Sequence, residues 1–115
     1  MNIEECYAAM HENYREVLDR LRSEAFICKF VKKFPEDPSF TDLKEALAAG
    51  DAEKAFRAAH TMKGVCVNLG FSNLYELSSE MTEKLRGREL DGYEPYFEKL
   101  SAAYEQTVAA IQQLD

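Results

Sequence analysis

Residues 51–70 read DAEKAFRAAHTMKGVCVNLG, and this stretch has the periodicity of an amphipathic α-helix. Its apolar positions recur at steps of three and four residues, which places them on one face of a helix. These positions are Ala55, Ala59, Met62, Cys66 and Leu69. Asp51, directly after Gly50, is a favourable N-cap, and Gly70 separates the helix from the next one. We therefore predict one helix here, with a single face turned toward the core.

Similar stripes lie on both sides of this helix. Upstream, Asp37 and Pro38 suit an N-cap and a first turn, and they open a helix with Phe40, Leu43 and Leu47 inward. Downstream, a helix that opens at Ser72 and closes at Gly87 carries Leu74, Leu77, Met81 and Leu85.

The last helix has the clearest stripe, formed by Phe97, Leu100, Tyr104, Thr107, Ile111 and Leu114. We expect Asp91 to cap it, with Pro95 in its first turn. No stretch shows the alternation of a β-strand. Four helices over residues 38–114, joined by short connections, predict an all-α protein built as an antiparallel up-and-down four-helix bundle.

Residues 1–34 contain no Gly or Pro and show two helical patterns. The first comprises Ile3, Cys6, Met10, Tyr14, Val17, Leu18 and Leu21, and the second comprises Ile27, Phe30, Val31 and Phe34. One helix of that length is improbable in so small a protein. Asn13 and Ser23 are both suited to capping, so we predict short N-terminal helices with breaks near these residues. The whole chain, residues 1–115, is expected to form a single domain.

Composition excludes several classes of function. The 115 residues are 46% apolar and 30% charged, with a net charge of −7, which argues against a nucleic-acid-binding protein. No apolar run is long enough for a membrane span, and the first residues lack the basic start of a signal peptide, so we expect a cytoplasmic protein. The short chain, with a single docking strip on the helix at residues 51–70, favours a monomer. Cysteines 6, 28 and 66 lack metal-ligand spacing, which favours core thiols over a metal site or a disulfide framework.

One strip of the helix at residues 51–70 carries the candidate site. At about 100° per residue, five side-chain positions lie within roughly 60° of His60: Phe56, Arg57, Lys63, Gly64 and Val67. Imidazole is a nitrogen nucleophile at neutral pH, so His60 is the candidate phosphoacceptor. Lys63 would offset the charge of a phosphoryl group. A glycine in a helix interior costs about 1 kcal/mol relative to alanine, so Gly64 suggests clearance for a partner backbone.

The remaining positions suit docking. Phe56 and Val67 would supply an apolar patch, with Arg57 at its rim.

Other reaction classes have less support. His11 is the only other histidine and lies in a polar stretch, so no serine or cysteine has a histidine placed to activate it. No glycine-rich phosphate loop is present, so we do not expect the chain to phosphorylate itself.

The stretch from Ala59 to Gly70 resembles the active helix of histidine-containing phosphotransfer (HPt) domains, and the similarity of the surrounding sequence spans roughly residues 20–115. The resemblance implies a helical-bundle phosphocarrier rather than an enzyme. His60 would exchange a phosphoryl group, through Nε2, with the aspartate of response-regulator receiver domains in a multi-step two-component phosphorelay. Hybrid histidine kinases would be further partners. The chain would need no cofactor, because Mg²⁺ is expected on the receiver domain.

Alternatives stay open at this point. Many HPt domains carry small hydroxyl residues after the glycine, where this chain has Val65 and Cys66. A non-catalytic adaptor that docks a receiver domain without carrying phosphate is therefore the main alternative. A hydrolase of receiver phosphate is another, although no water-orienting group is evident. Kinase-linked phosphoacceptor domains share the motif, but the short chain favours a free-standing module.

Overall fold

A computed structural model describes residues 1–115, which form seven α-helices, one 3₁₀ turn and no strands. The elements are α1 (Ile3–Ala9), α2 (Tyr14–Leu21), α3 (Glu24–Lys33), the 3₁₀ turn (Phe34–Glu36), α4 (Ser39–Ala48), α5 (Ala52–Leu69), α6 (Ser72–Leu85) and α7 (Glu94–Gln112). The predicted all-α class and the short N-terminal helices are confirmed. The antiparallel up-and-down order of the bundle stays a prediction. No helix is both long and apolar enough to cross a membrane.

Helix α5 begins and ends as its sequence predicts. The Asp51 carboxylate accepts a hydrogen bond from the backbone N–H of Lys54 at 3.0 Å, and Gly70 ends the helix in the left-handed conformation with φ +69°. The predicted stripe from Ala55 to Leu69 is buried along its whole length. Helix α5 packs mainly against α4 and α6, so the strip on its remaining side faces outward.

The N-terminal helices begin at the residues that the sequence indicated. Asn13 caps α2 by accepting the Glu16 N–H at 3.2 Å, and Ser23 caps α3 by accepting the Phe26 N–H at 3.1 Å. Phe30, a member of the second apolar pattern, is not buried, because its side chain is 39% exposed. It pairs instead with Phe26 on the surface of α3, with ring centroids 4.5 Å apart.

Helix α6 begins at Ser72 as predicted, whereas the starts of α4 and α7 depart from the predicted caps. The N-cap of α4 is Pro38, while the Asp37 carboxylate accepts the N–H of Ser39. Helix α7 begins at Glu94 with Tyr93 as its N-cap, so the prediction of an Asp91 cap is wrong, although Pro95 does lie in the first turn. The side chain of Tyr93 makes no capping hydrogen bond, and the fixed φ of Pro95 favours the first helical turn.

Helices α1 and α2 hold the end of α5 and the start of α6. The Tyr7 hydroxyl donates to the carbonyl of Leu69 at 2.7 Å, and the Arg20 guanidinium donates to the carbonyls of Val67 and Asn68, each at 3.0 Å. These bonds satisfy C-terminal carbonyls of α5 that have no partner within the helix. Residues of both helices belong to the same buried cluster as the rest of the core. The C-terminal half of α5 is thus anchored along its inner side.

Helix α6 takes its cap from a distant residue. The Glu12 carboxylate accepts the N–H groups of Asn73 at 2.8 Å and of Leu74 at 3.1 Å. A carboxylate at a helix N-terminus also interacts favourably with the helix dipole. Burial nevertheless raises the pKa of Glu12, against the opposing effect of these backbone hydrogen bonds. The turn between α5 and α6 is therefore held by side chains from the N-terminal part of the chain.

Candidate functional site

His60 lies on the outward strip of α5 and is exposed to solvent. Its neighbours Ala59 and Met62 are buried, so the strip is bounded by the core on one side. The hydrogen bonds made by side chains of α5 and its cap involve Asp51, Glu53, Thr61 and Cys66, but not His60. The imidazole is therefore open to an incoming group and is oriented by packing alone.

Phe56 is the ring nearest to the imidazole in the structure. It lies one helical turn before His60, with ring centroids 6.2 Å apart and planes inclined by 37°. This distance is within the range of favourable aromatic pairs. Phe56 itself is half-buried and packs against the core. The N-terminal side of the imidazole therefore has an apolar wall.

Lys63 lies one turn after His60 and is half-buried. The four ion pairs of the chain involve the N-terminus, Arg57, Arg86 and Arg88, so the Lys63 ammonium has no carboxylate within ion-pair distance. The pKa of Glu83 on α6 is lowered, mainly by its hydrogen bond with Arg86 and to a smaller extent by the charge of Lys63. Lys63 thus carries an unpaired positive charge on the same strip as the imidazole.

Gly64 borders open space. A Cβ atom added at this position would meet no other atom within 4 Å. The residue is helical and exposed, so neither an unusual backbone angle nor a neighbouring side chain requires a glycine here. The contacts within the fold therefore do not account for the cost of a glycine in this helix interior.

The two outer docking candidates are both exposed. Val67 is 43% exposed and lies one turn beyond Lys63, while its carbonyl is bound by Arg20 of α2. Arg57 pairs with Glu53, with Nε and Oε1 3.6 Å apart. The structure therefore places His60, Phe56, Lys63, Gly64 and Val67 along one face of α5, with Arg57 beside them.

Two basic residues near the site were not found from the sequence. Arg88 and Arg86, in the connection between α6 and α7, place their guanidinium carbons 3.8 Å and 5.6 Å from the centroid of the Phe56 ring. Arg88 also donates to Glu53 on α5 at 2.7 Å. The sequence does show two arginines, one on either side of Gly87. Their position over Phe56, however, depends on how the connection folds back over α5.

The structure shows no group of three or more His, Cys, Asp or Glu side chains arranged to hold a metal ion. Cys6 and Cys66 are buried and Cys28 is half-buried, all three as free thiols. Cys66 lies 4.0 Å from the hydroxyl of Ser78 on α6, in the core behind the strip. These thiols are part of the packing and take no part in the exposed site.

Comparison with known proteins bears on the family and the fold class of the chain. No curated protein and no solved structure matches the chain. A family model described as the Hpt domain matches residues 26–113, a range that covers α4 to α7 and nearly all of α3. Domains of this family are helical bundles that carry phosphoryl groups on histidine in phosphorelays. The chain therefore belongs to the Hpt domain family.

Proposed function

We propose that this protein is a histidine phosphocarrier that exchanges a phosphoryl group between His60 and the aspartate of response-regulator receiver domains. The observation that carries the proposal is the exposed imidazole of His60, followed one helical turn later by the unpaired ammonium of Lys63 and by open space at Gly64. Hybrid histidine kinases, through their receiver domains, are the proposed source of phosphate. The chain acts as a carrier and needs no cofactor of its own, because Mg²⁺ would be held by the receiver.

The transfer is a direct substitution at phosphorus. The lone pair of His60 Nε2 attacks the phosphorus of the aspartyl phosphate, a nitrogen–phosphorus bond forms, and the aspartate leaves as a carboxylate. The proton on Nδ1 stays in place, so the step needs no general base. The reverse step returns the phosphoryl group to a second receiver by the same path. In such reactions a protein contributes mainly positioning and charge stabilisation.

The residues around His60 suit these two tasks. Helix α5 is held on its inner side by the core and at its end by Tyr7 and Arg20, which fixes the place of the nucleophile. Lys63 would meet the negative charge of the phosphoryl group without first breaking an ion pair. Gly64 would allow the receiver backbone to approach, and Phe56 and Val67 would contact its apolar surface.

The proposal is tested by replacing His60 with glutamine. Incubation with a receiver domain, Mg²⁺ and acetyl phosphate should give wild-type protein an adduct that is labile in acid and stable in base. His60→Gln should show no adduct and unchanged helicity by circular dichroism. His11→Gln is a matched control, because His11 is also exposed but lies in the turn before α2. Equal labelling of His60→Gln and wild type would disprove the assignment, and binding of receivers without any adduct would favour the adaptor.

A further inference from the structure

Arg88 is held over the ring of Phe56 by several contacts. Its guanidinium carbon lies 3.8 Å from the ring centroid, and its Nε donates to Glu53 at 2.7 Å. A second nitrogen, Nη1, donates to the carbonyl oxygen of Arg86. A cation at this distance is attracted to the face of an aromatic ring, and the ion pair fixes its direction. The connection between α6 and α7 is thereby fastened to α5 one turn before His60.

The backbone at Arg88 is in an unfavourable conformation. Its φ is +58°, in the left-handed region, whereas the preceding Gly87 does not use a positive φ. A residue with a Cβ is disfavoured in this region relative to its usual backbone angles, whereas glycine is not. The chain therefore has glycine where the backbone does not need it and arginine where glycine would be easier. Strain of this kind is concentrated at functional sites.

Arg88 and His60 both contact the same ring. His60 has no side-chain hydrogen bond, so its packing against Phe56 at 6.2 Å is the interaction that limits the orientation of the imidazole. Phe56 is only half-buried, so the core alone does not immobilise it. The Arg88 guanidinium, on the face of the ring, restrains the side chain of Phe56 further.

We propose that Arg88 is a positioning residue for His60: by holding the ring of Phe56, it keeps the imidazole in the orientation needed for in-line attack. This inference rests on the proposed phosphocarrier function. The connection between α6 and α7 would thus contribute to the reaction through Arg88, although Arg88 would not contact the phosphoryl group. Orienting a nucleophile lowers the barrier of the transfer step, so the effect belongs in kcat rather than in KM.

The test is Arg88→Gly with Arg22→Gly as the matched control. Arg22 also has a left-handed backbone, with φ +60°, and it lies at the end of α2. Both substitutions relieve the same kind of backbone strain, but only the first removes a guanidinium from Phe56. With a phosphorylated receiver as donor, we expect Arg88→Gly to lower kcat by about three- to tenfold, with KM changed by less than about twofold. Arg22→Gly should leave both constants unchanged.

A readout without phosphate separates this inference from the function on which it rests. In NMR spectra, the imidazole protons of His60 are shifted by the Phe56 ring, and Arg88→Gly should move these signals toward averaged values. Phe56→Leu should produce a similar loss in kcat. Because Arg88 acts through Phe56, the double variant should transfer phosphate less than about twofold more slowly than Phe56→Leu alone. Identical His60 signals and kcat in Arg88→Gly and Arg22→Gly, or a full additional loss in the double variant, would overturn the proposal. Failure of labelling at His60 would instead disprove the carrier function.

Discussion

Gly64 should make the protein less stable and more active than alanine would. A Cβ at this position meets nothing within 4 Å, so Gly64→Ala introduces no clash in the free protein. Alanine is favoured over glycine in a helix interior by about 1 kcal/mol, so we expect the free energy of unfolding to rise by about that amount. For a protein of this size this corresponds to an increase in Tm of roughly 4–8 °C.

Transfer from a receiver should respond in the opposite direction. If the partner backbone approaches Gly64, the added methyl group must be accommodated at a close-packed contact, where overpacking costs about 1–3 kcal/mol. The rate of transfer from a phosphorylated receiver should then fall by about fivefold to a hundredfold. Direct labelling of His60 by phosphoramidate, which needs no docked protein, should be unchanged.

The assay pairs urea unfolding, followed by circular dichroism, with both labelling reactions on wild type and Gly64→Ala. A stabilised variant with an undiminished rate of transfer from the receiver would refute the clearance argument. A destabilised variant would show that the glycine has a role within the fold. The combination of higher stability and slower transfer is the expected signature of a residue kept for its partner.

Two further predictions concern the packing of the N-terminal helices. Gly70→Ala should reduce the free energy of unfolding by roughly 2–5 kcal/mol, because Gly70 has φ +69° and an added Cβ would lie 2.8 Å from the Cβ of Val17. Gly50→Ala should reduce it by only about 1 kcal/mol, because Gly50 has a similar φ of +71° but no neighbour within 4 Å. Equal shifts of the urea midpoints in the two variants would contradict this prediction. Burial raises the pKa of Glu12 above its ordinary 4.5, so the folded protein binds this proton more tightly than the unfolded chain does. The contribution of Glu12 to the free energy of unfolding should therefore fall as the pH rises from about 4.5 through the raised pKa. Glu12→Gln should remove this part of the pH dependence of urea unfolding. Identical pH profiles for the variant and the wild type would rule out the effect.

Features that depend on local sequence were predictable. Helix α5 was identified with its cap at Asp51 and its end at Gly70, because capping and helical periodicity act over a few residues. The breaks at Asn13 and Ser23 followed for the same reason. The strip around His60 was predictable as well, because residues three and four apart share a helix face whatever surrounds the helix.

Features that depend on distant contacts were not predictable. The start of α6 at Ser72 follows from the sequence, but the carboxylate that accepts its first N–H groups comes from Glu12, about sixty positions earlier. Arg88 reaches Phe56 and Glu53 only because the connection after α6 folds back over α5. The exposure of Phe30 shows the same limit, since an apolar pattern does not reveal whether a neighbouring helix covers each of its members.

The distribution of charge around His60 is compatible with the proposed arrival of an anion at an acidic protein. The chain has a net charge of −7, so the average potential at its surface is negative. Near the imidazole, Glu53 and Glu83 each pair with arginine, so their negative charge is offset where the phosphoryl group would arrive. Lys63 remains the unpaired cation of the strip and therefore dominates the local field. Since exposed charges are screened over about 8 Å at physiological ionic strength, this short-range attraction acts only once a partner is docked. For the proposed carrier, we therefore expect recognition of the partner to come from the shape and apolar contacts of the strip, and attraction of the phosphoryl group to come from Lys63.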